Sequence, residues 1–132
     1  MNNHFKNQYA TIDYDQSKNT LMLTWHRFAQ EDAFRSVMTK FYDLSTQLKV
    51  SKWLFDSRKQ GLISSKDQKW TVSEVVNRKL DTTQIKTAVV MPENTFMKVS
   101  VNKITSELET QAADQNYQLF KSPEQALTWL DQ

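Results

Sequence analysis

The spacing of apolar residues changes near residue 26, and that change limits the possible folds more than any other feature of the chain. Before it, residues 9–15 alternate, with Ala10, Ile12 and Tyr14 on one face and Thr11, Asp13 and Asp15 on the other. Residues 20–26 repeat the pattern, with Leu21, Leu23 and Trp25 opposite Met22, Thr24 and His26. A period of two is that of a half-buried strand, and Asp15-Gln16-Ser17-Lys18-Asn19 between the runs has hairpin length. After residue 26, Phe34, Val37, Met38, Phe41, Leu44 and Leu48 recur at three- and four-residue spacing, the stripe of an amphipathic helix. Glu31 and Asp32 fall in its first turn, where carboxylates favour the positive end of the helix dipole. The spacing predicts a helix from about Gln30 to Lys49.

From there strands and helices alternate. A strand is expected over 52–56. A helix is expected to begin at Ser64 or Ser65, either of which can cap, with Trp70, Val72, Val75, Val76 and Leu80 on its apolar face and an end near Leu80-Asp81-Thr82. Lys86-Thr87-Ala88-Val89-Val90-Met91 is continuously apolar after its lysine and stops at Pro92, as a strand covered on both faces does. A helix from about Thr95 carries Met97, Val101, Ile104, Leu108 and Ala112. Tyr117-Gln118-Leu119-Phe120 reads as a short strand. Ser122-Pro123-Glu124-Gln125 is a helix start with Ser122 as N-cap and Pro123 in the first turn, and Ala126, Leu127, Trp129 and Leu130 dock that helix. The order β-β-α-β-α-β-α-β-α predicts one α/β domain over 1–132, with a mainly parallel, mixed five-stranded sheet and one antiparallel edge strand.

Composition removes several chemistries. The chain has no cysteine, so disulfides, thiolate nucleophiles and thiolate metal sites are excluded, and a reducing compartment fits. It has one glycine, Gly61, whereas glycine-rich phosphate-binding loops need several. A formal charge of +2 with interspersed signs makes nucleic acid and anionic membrane poor default partners. Met1-Asn2-Asn3-His4-Phe5-Lys6 has no apolar core for a secretion signal, and no window reaches the ~18 apolar residues of a membrane span. A cytoplasmic protein is expected, with His4 in a frayed terminus. His4 and His26 are distant in sequence, and Asp13, Asp15 and Glu93 lack ligand spacing, so neither metal nor cofactor is expected.

The run Trp53-Leu54-Phe55-Asp56-Ser57-Arg58 ends a buried strand in charge. Together with the hairpin ending in Leu21-Met22-Leu23-Thr24-Trp25 and the closing segment from Phe120 to Leu130, it resembles the SpoIIAA-like or STAS fold. Within that family the nearest likeness is to small stand-alone bacterial STAS-like proteins. The likeness in element order covers nearly the whole chain. In the anti-sigma-factor antagonists of this family, the equivalent strand runs into an Asp-Ser-Ser/Thr-Gly-type loop whose second hydroxyl is phosphorylated. Asp56 and Ser57 match the first two positions, Arg58 stands at the phospho-acceptor, and Gly61 comes two positions late. The resemblance therefore implies the fold and protein binding, without a phosphoswitch.

Candidate site residues cluster around that strand end. Asp56 is expected to hydrogen-bond the following turn. Arg58, Lys59, Lys66 and Lys69 surround the start of the second helix, where free N–H groups and positive charge suit an anion or an acidic surface. Trp70 stands in the first turns after this loop, at a pocket mouth, in an interface or in the core. Trp25, Trp53 and Trp129 fall on core stripes, each needing a partner for its indole N–H. Binding is thus expected through Asp56, Ser57, Arg58, Lys59, Lys66, Lys69 and Trp70, by a non-catalytic domain whose partner is another protein or a second copy of itself. An alternative is a SEC14-like carrier of lipid or small molecules, with Phe34, Met38, Phe41 and Met97 lining a cavity. A third is a hydrolase using Asp56 and His26, although no Gly-x-Ser-x-Gly elbow presents Ser57.

Overall fold

Neighbouring strands in the sheet are neighbours in sequence, so each crossover advances the sheet by one strand in the same direction. The computed structural model describes residues 2–61, 63–92 and 116–132. They form β1 (Asn2–Lys6), β2 (Ala10–Asp15), β3 (Thr20–Trp25), α1 (Glu31–Leu48), β4 (Lys52–Asp56), α2 (Ser65–Asn77), a 3-10 turn (Thr82–Gln84), β5 (Lys86–Val90), β6 (Tyr117–Phe120) and α3 (Pro123–Leu130). The sheet has six strands in the order β1-β2-β3-β4-β5-β6. Pairing is antiparallel from β1 to β3 and parallel beyond, so β2 alone runs against the rest.

The expected five-stranded sheet with an antiparallel edge strand is corrected in two respects. The sheet gains β1, and β1 covers β2, which moves the antiparallel strand inward. Asn2–Lys6 carries no strand signal because it is polar and asparagine disfavours strands. Pairing with β2 holds it in place, with a bulge between Asn3 and Phe5 and only Phe5 packed against the core. His4 is therefore in a strand rather than a frayed terminus, its ring edge-on to Tyr14 at 6.0 Å. The helix expected from about Thr95 lies outside the described residues.

Successive right-handed crossovers in one direction place their helices on one face of the sheet. Side chains of α1 meet Leu21, Leu23, Trp25 and Trp53 there, and α2 joins them through Val75 and Trp70. After β6, α3 covers the other face against Met22, Leu54, Ala88, Val90 and Phe120. Ser122 caps α3 by accepting the Gln125 N–H, as the sequence predicts. Its other end is held by Lys86, whose ammonium donates to the Trp129 carbonyl and lies 4.5 Å from the Trp129 ring centre. A cation at a helix C-terminus meets the negative end of the dipole.

With a single glycine, the chain ends helices on other residues. Lys49 (φ 53) and Lys79 (φ 56) take the left-handed conformation after α1 and α2. Returning bonds offset this strain: Val50 N–H to Ser45 C=O at 3.2 Å and Leu80 N–H to Val75 C=O at 3.1 Å. The second closure ends α2 at Asn77, before the expected Leu80, and leaves Val76 51% exposed instead of on the apolar face.

Phe41 sits at the centre of the larger core, with Tyr42, Trp53 and Phe55 rings all within 6.1 Å of it. Burial of Tyr42 pushes its phenol well above the ordinary range. Trp53 is buried, and its indole N–H donates to the Ser45 hydroxyl at 2.8 Å. Trp53→Phe keeps the ring and removes the donor, and is expected to cost about 1–3 kcal/mol in urea denaturation. Ser45→Ala should then cost less in the Trp53→Phe background than in the wild type.

Candidate functional site

The carboxyl ends of β3 and β4 lie side by side, since Thr24 pairs with Asp56 in parallel register. The loops that leave them, 26–30 and 57–64, therefore share the rim where open α/β sheets commonly bind ligands. Asp56, half-buried at the end of β4, accepts the Arg58 N–H at 3.3 Å, as a strand-end carboxylate fastening a turn. It also accepts two bonds from the Arg58 guanidinium, at 2.9 and 2.8 Å. That direct hydrogen bonding holds the Arg58 pKa above its ordinary value, and Glu124 in the first turn of α3 adds to it. The pair is exposed on the Arg58 side and contributes at most about 1 kcal/mol. Ser57 is buried, and its N–H donates to the Val90 carbonyl at 2.8 Å, extending the sheet.

Two polar side chains missed in sequence analysis assemble the rim. Gln60 is 1% exposed. Its amide accepts the Ala29 N–H and donates to the Ala29 carbonyl, so one side chain fastens the two loops together. Asp67 is also 1% exposed. Ser64 caps α2 by accepting the Asp67 N–H, while the Asp67 carboxylate reaches across to α1. There it accepts the Glu31 N–H at 2.8 Å and the Arg35 guanidinium at 3.0 Å. Gln30, the residue before α1, offers no side-chain cap, and Glu31 starts the helix at φ 51. Asp67 thus supplies from α2 the cap that α1 lacks. Gly61 (φ 77) turns the loop between these anchors in a conformation that favours glycine, although a Cβ there would meet nothing within 4 Å.

Lys59, Lys66 and Lys69 are exposed, and among the described residues none reaches a carboxylate. Trp70 is half-buried: its ring is edge-on to Phe34 at 6.2 Å, and the Arg35 guanidinium lies 5.7 Å from its centre. Phe34 in turn stacks on Trp25 at 5.5 Å. Of the seven expected binding residues, the structure places Arg58, Lys59, Lys66 and Lys69 outward. It turns Ser57 inward and uses Asp56 and Trp70 largely for internal contacts.

His26 does not join Asp56 and Ser57 in a catalytic arrangement. Its ring nitrogen bonds the Thr11 hydroxyl on β2, and both Asp56 oxygens are engaged by Arg58. Phe34, Met38 and Phe41 are buried in the ring-packed core, and Met97 lies outside the described residues. Among the described residues no cluster of three metal-ligating side chains occurs, and no helix is long and apolar enough to cross a membrane.

Asp67→Ala is expected to cost about 2–4 kcal/mol, below the full value for a broken buried pair because Arg35 is partly solvated. Asp67→Asn keeps an acceptor for the Glu31 N–H and should cost less. Urea denaturation measures both, and faster amide exchange at Glu31 in the alanine variant alone would identify the lost cap. Comparison against protein-family models, curated proteins and solved structures found no match for this chain.

Proposed function

We propose that this chain is a non-catalytic binding domain that engages another protein through the rim formed by residues 57–70 and the adjoining 26–30 loop. The reading rests on one observation. Three exposed lysines without carboxylate partners among the described residues stand on a rim whose backbone is already fastened by Gln60 and Asp67. A fastened backbone lowers the ordering cost of binding, and unpaired cations steer the approach of an acidic surface. The resemblance to STAS domains supports the same reading, with Arg58 tied to Asp56 where a phospho-acceptor hydroxyl would stand. On this reading the domain is regulatory and cytoplasmic, and its contact is constitutive rather than switched by phosphorylation at that position.

Quantitative pull-down from native lysate with two baits tests this. At least one protein is expected to be retained about tenfold more by the wild type than by a Lys59→Glu/Lys66→Glu/Lys69→Glu bait, a difference of about 1.4 kcal/mol. The three side chains are exposed, so the variant should fold with an unchanged urea midpoint. Equal retention by two folded baits would rule this surface out.

A further inference from the structure

Among the described residues two large apolar side chains are half exposed, Phe28 and Val76, each at 51%. Val76 lies near the end of α2, a crossover helix that finishes at the opposite rim of the sheet. Phe28 stands in the loop after β3, on the same rim as the three lysines. Leaving a phenylalanine half in water forgoes part of the ~1.5–3 kcal/mol available from burying it.

We propose that Phe28 is the apolar anchor of this rim, seated in an apolar pocket on an acidic segment of a partner protein. The proposal rests on the reading of the rim as a protein-binding surface. Both sequence neighbours of Phe28 have partners within the chain. The Arg27 guanidinium lies 5.4 Å from the centre of the Tyr9 ring. Ala29 is 3% exposed, with its N–H and carbonyl both bound to Gln60. Binding therefore freezes little more than two side-chain torsions of Phe28, which is how rigid aromatic anchors keep the entropy cost low.

Charge indicates the chemistry of the partner. Among the described residues, Asp56 is taken by Arg58 and Asp67 by Arg35, which leaves Arg27, Lys59, Lys66 and Lys69 against the exposed Glu31, Asp32 and Glu124. That balance favours an acidic segment. The three acids and a lone aromatic platform argue against a nucleic acid strand, which needs a cationic track and successive stacking rings.

Random-peptide display on the immobilised 132-residue chain, with affinities of the selected peptides measured in solution, tests the proposal. Expected are peptides with aspartate or glutamate clusters beside an apolar residue, bound at least tenfold more weakly by Phe28→Ser and nearly as well by Phe28→Leu. Acidic peptides that need the three lysines but are indifferent to Phe28→Ser would overturn the anchor and leave the rim standing. No enrichment of acidic peptides would overturn both. Binding of oligothymidylate that is lost in Phe28→Ser, or a wild-type dimer that becomes a monomer in that variant, would also overturn the proposal, making the occupant nucleic acid or a second copy of the chain.

Discussion

The Asp67 carboxylate, buried between the starts of α1 and α2, is the contact on which the rim at the carboxyl ends of β3 and β4 depends. α1 begins without a local cap and with Glu31 in a left-handed conformation that side chains other than glycine avoid. Free N–H groups and the positive end of the dipole make such a helix start unfavourable when left alone. The Asp67 carboxylate, from a distant position in sequence, accepts the Glu31 N–H, sets a negative charge at the helix start and pairs with Arg35. Its own N–H is capped by Ser64, so the starts of both helices are locked to each other.

Everything at that rim follows from the lock. The loop between β3 and α1 is held between Asp67 at its end and Gln60 at Ala29, and the loop after β4 is held by the same two side chains from below. Packing of Phe34 between Trp25 and Trp70 continues the contact into the core. The backbone of the rim is therefore fastened at Ala29 and Glu31 by side chains of the neighbouring elements. Asp56 at the strand end is occupied with Arg58, so the unpaired charge lies on the lysines around it. Asp56, Gln60 and Asp67 at this rim are each engaged in internal hydrogen bonds.

Much of the frame is legible in the sequence where local pattern and tertiary environment agree. The alternation at 9–26, the stripe from Phe34 to Leu48, the apolar run before Pro92 and the Ser122-Pro123 start all appear where expected. Local signals fail where a segment is defined by its neighbour. β1 is polar and exists through pairing with β2. The end of α2 is set by a left-handed lysine that no propensity scale would single out. Gln60 and Asp67 look like ordinary loop and capping residues, since nothing local shows that a side chain will be buried across a gap of some thirty positions. Phe28 sits in a short polar stretch where exposure and burial are equally compatible with the pattern.

What the sequence determined by itself is the class and order of the elements, because hydrophobic period and caps act within a few residues of themselves. It also determined what the chain lacks: thiols, glycine-rich loops and a membrane-spanning apolar run in any described helix. The tertiary structure alone decided the sixth strand, the inward position of β2, the burial of Ser57 and the fastening of two loops by Gln60 and Asp67. The physical reason is range. Backbone preferences are local, whereas the partner that satisfies a buried polar group, and the strand that fills an open edge, are supplied by distant parts of the chain.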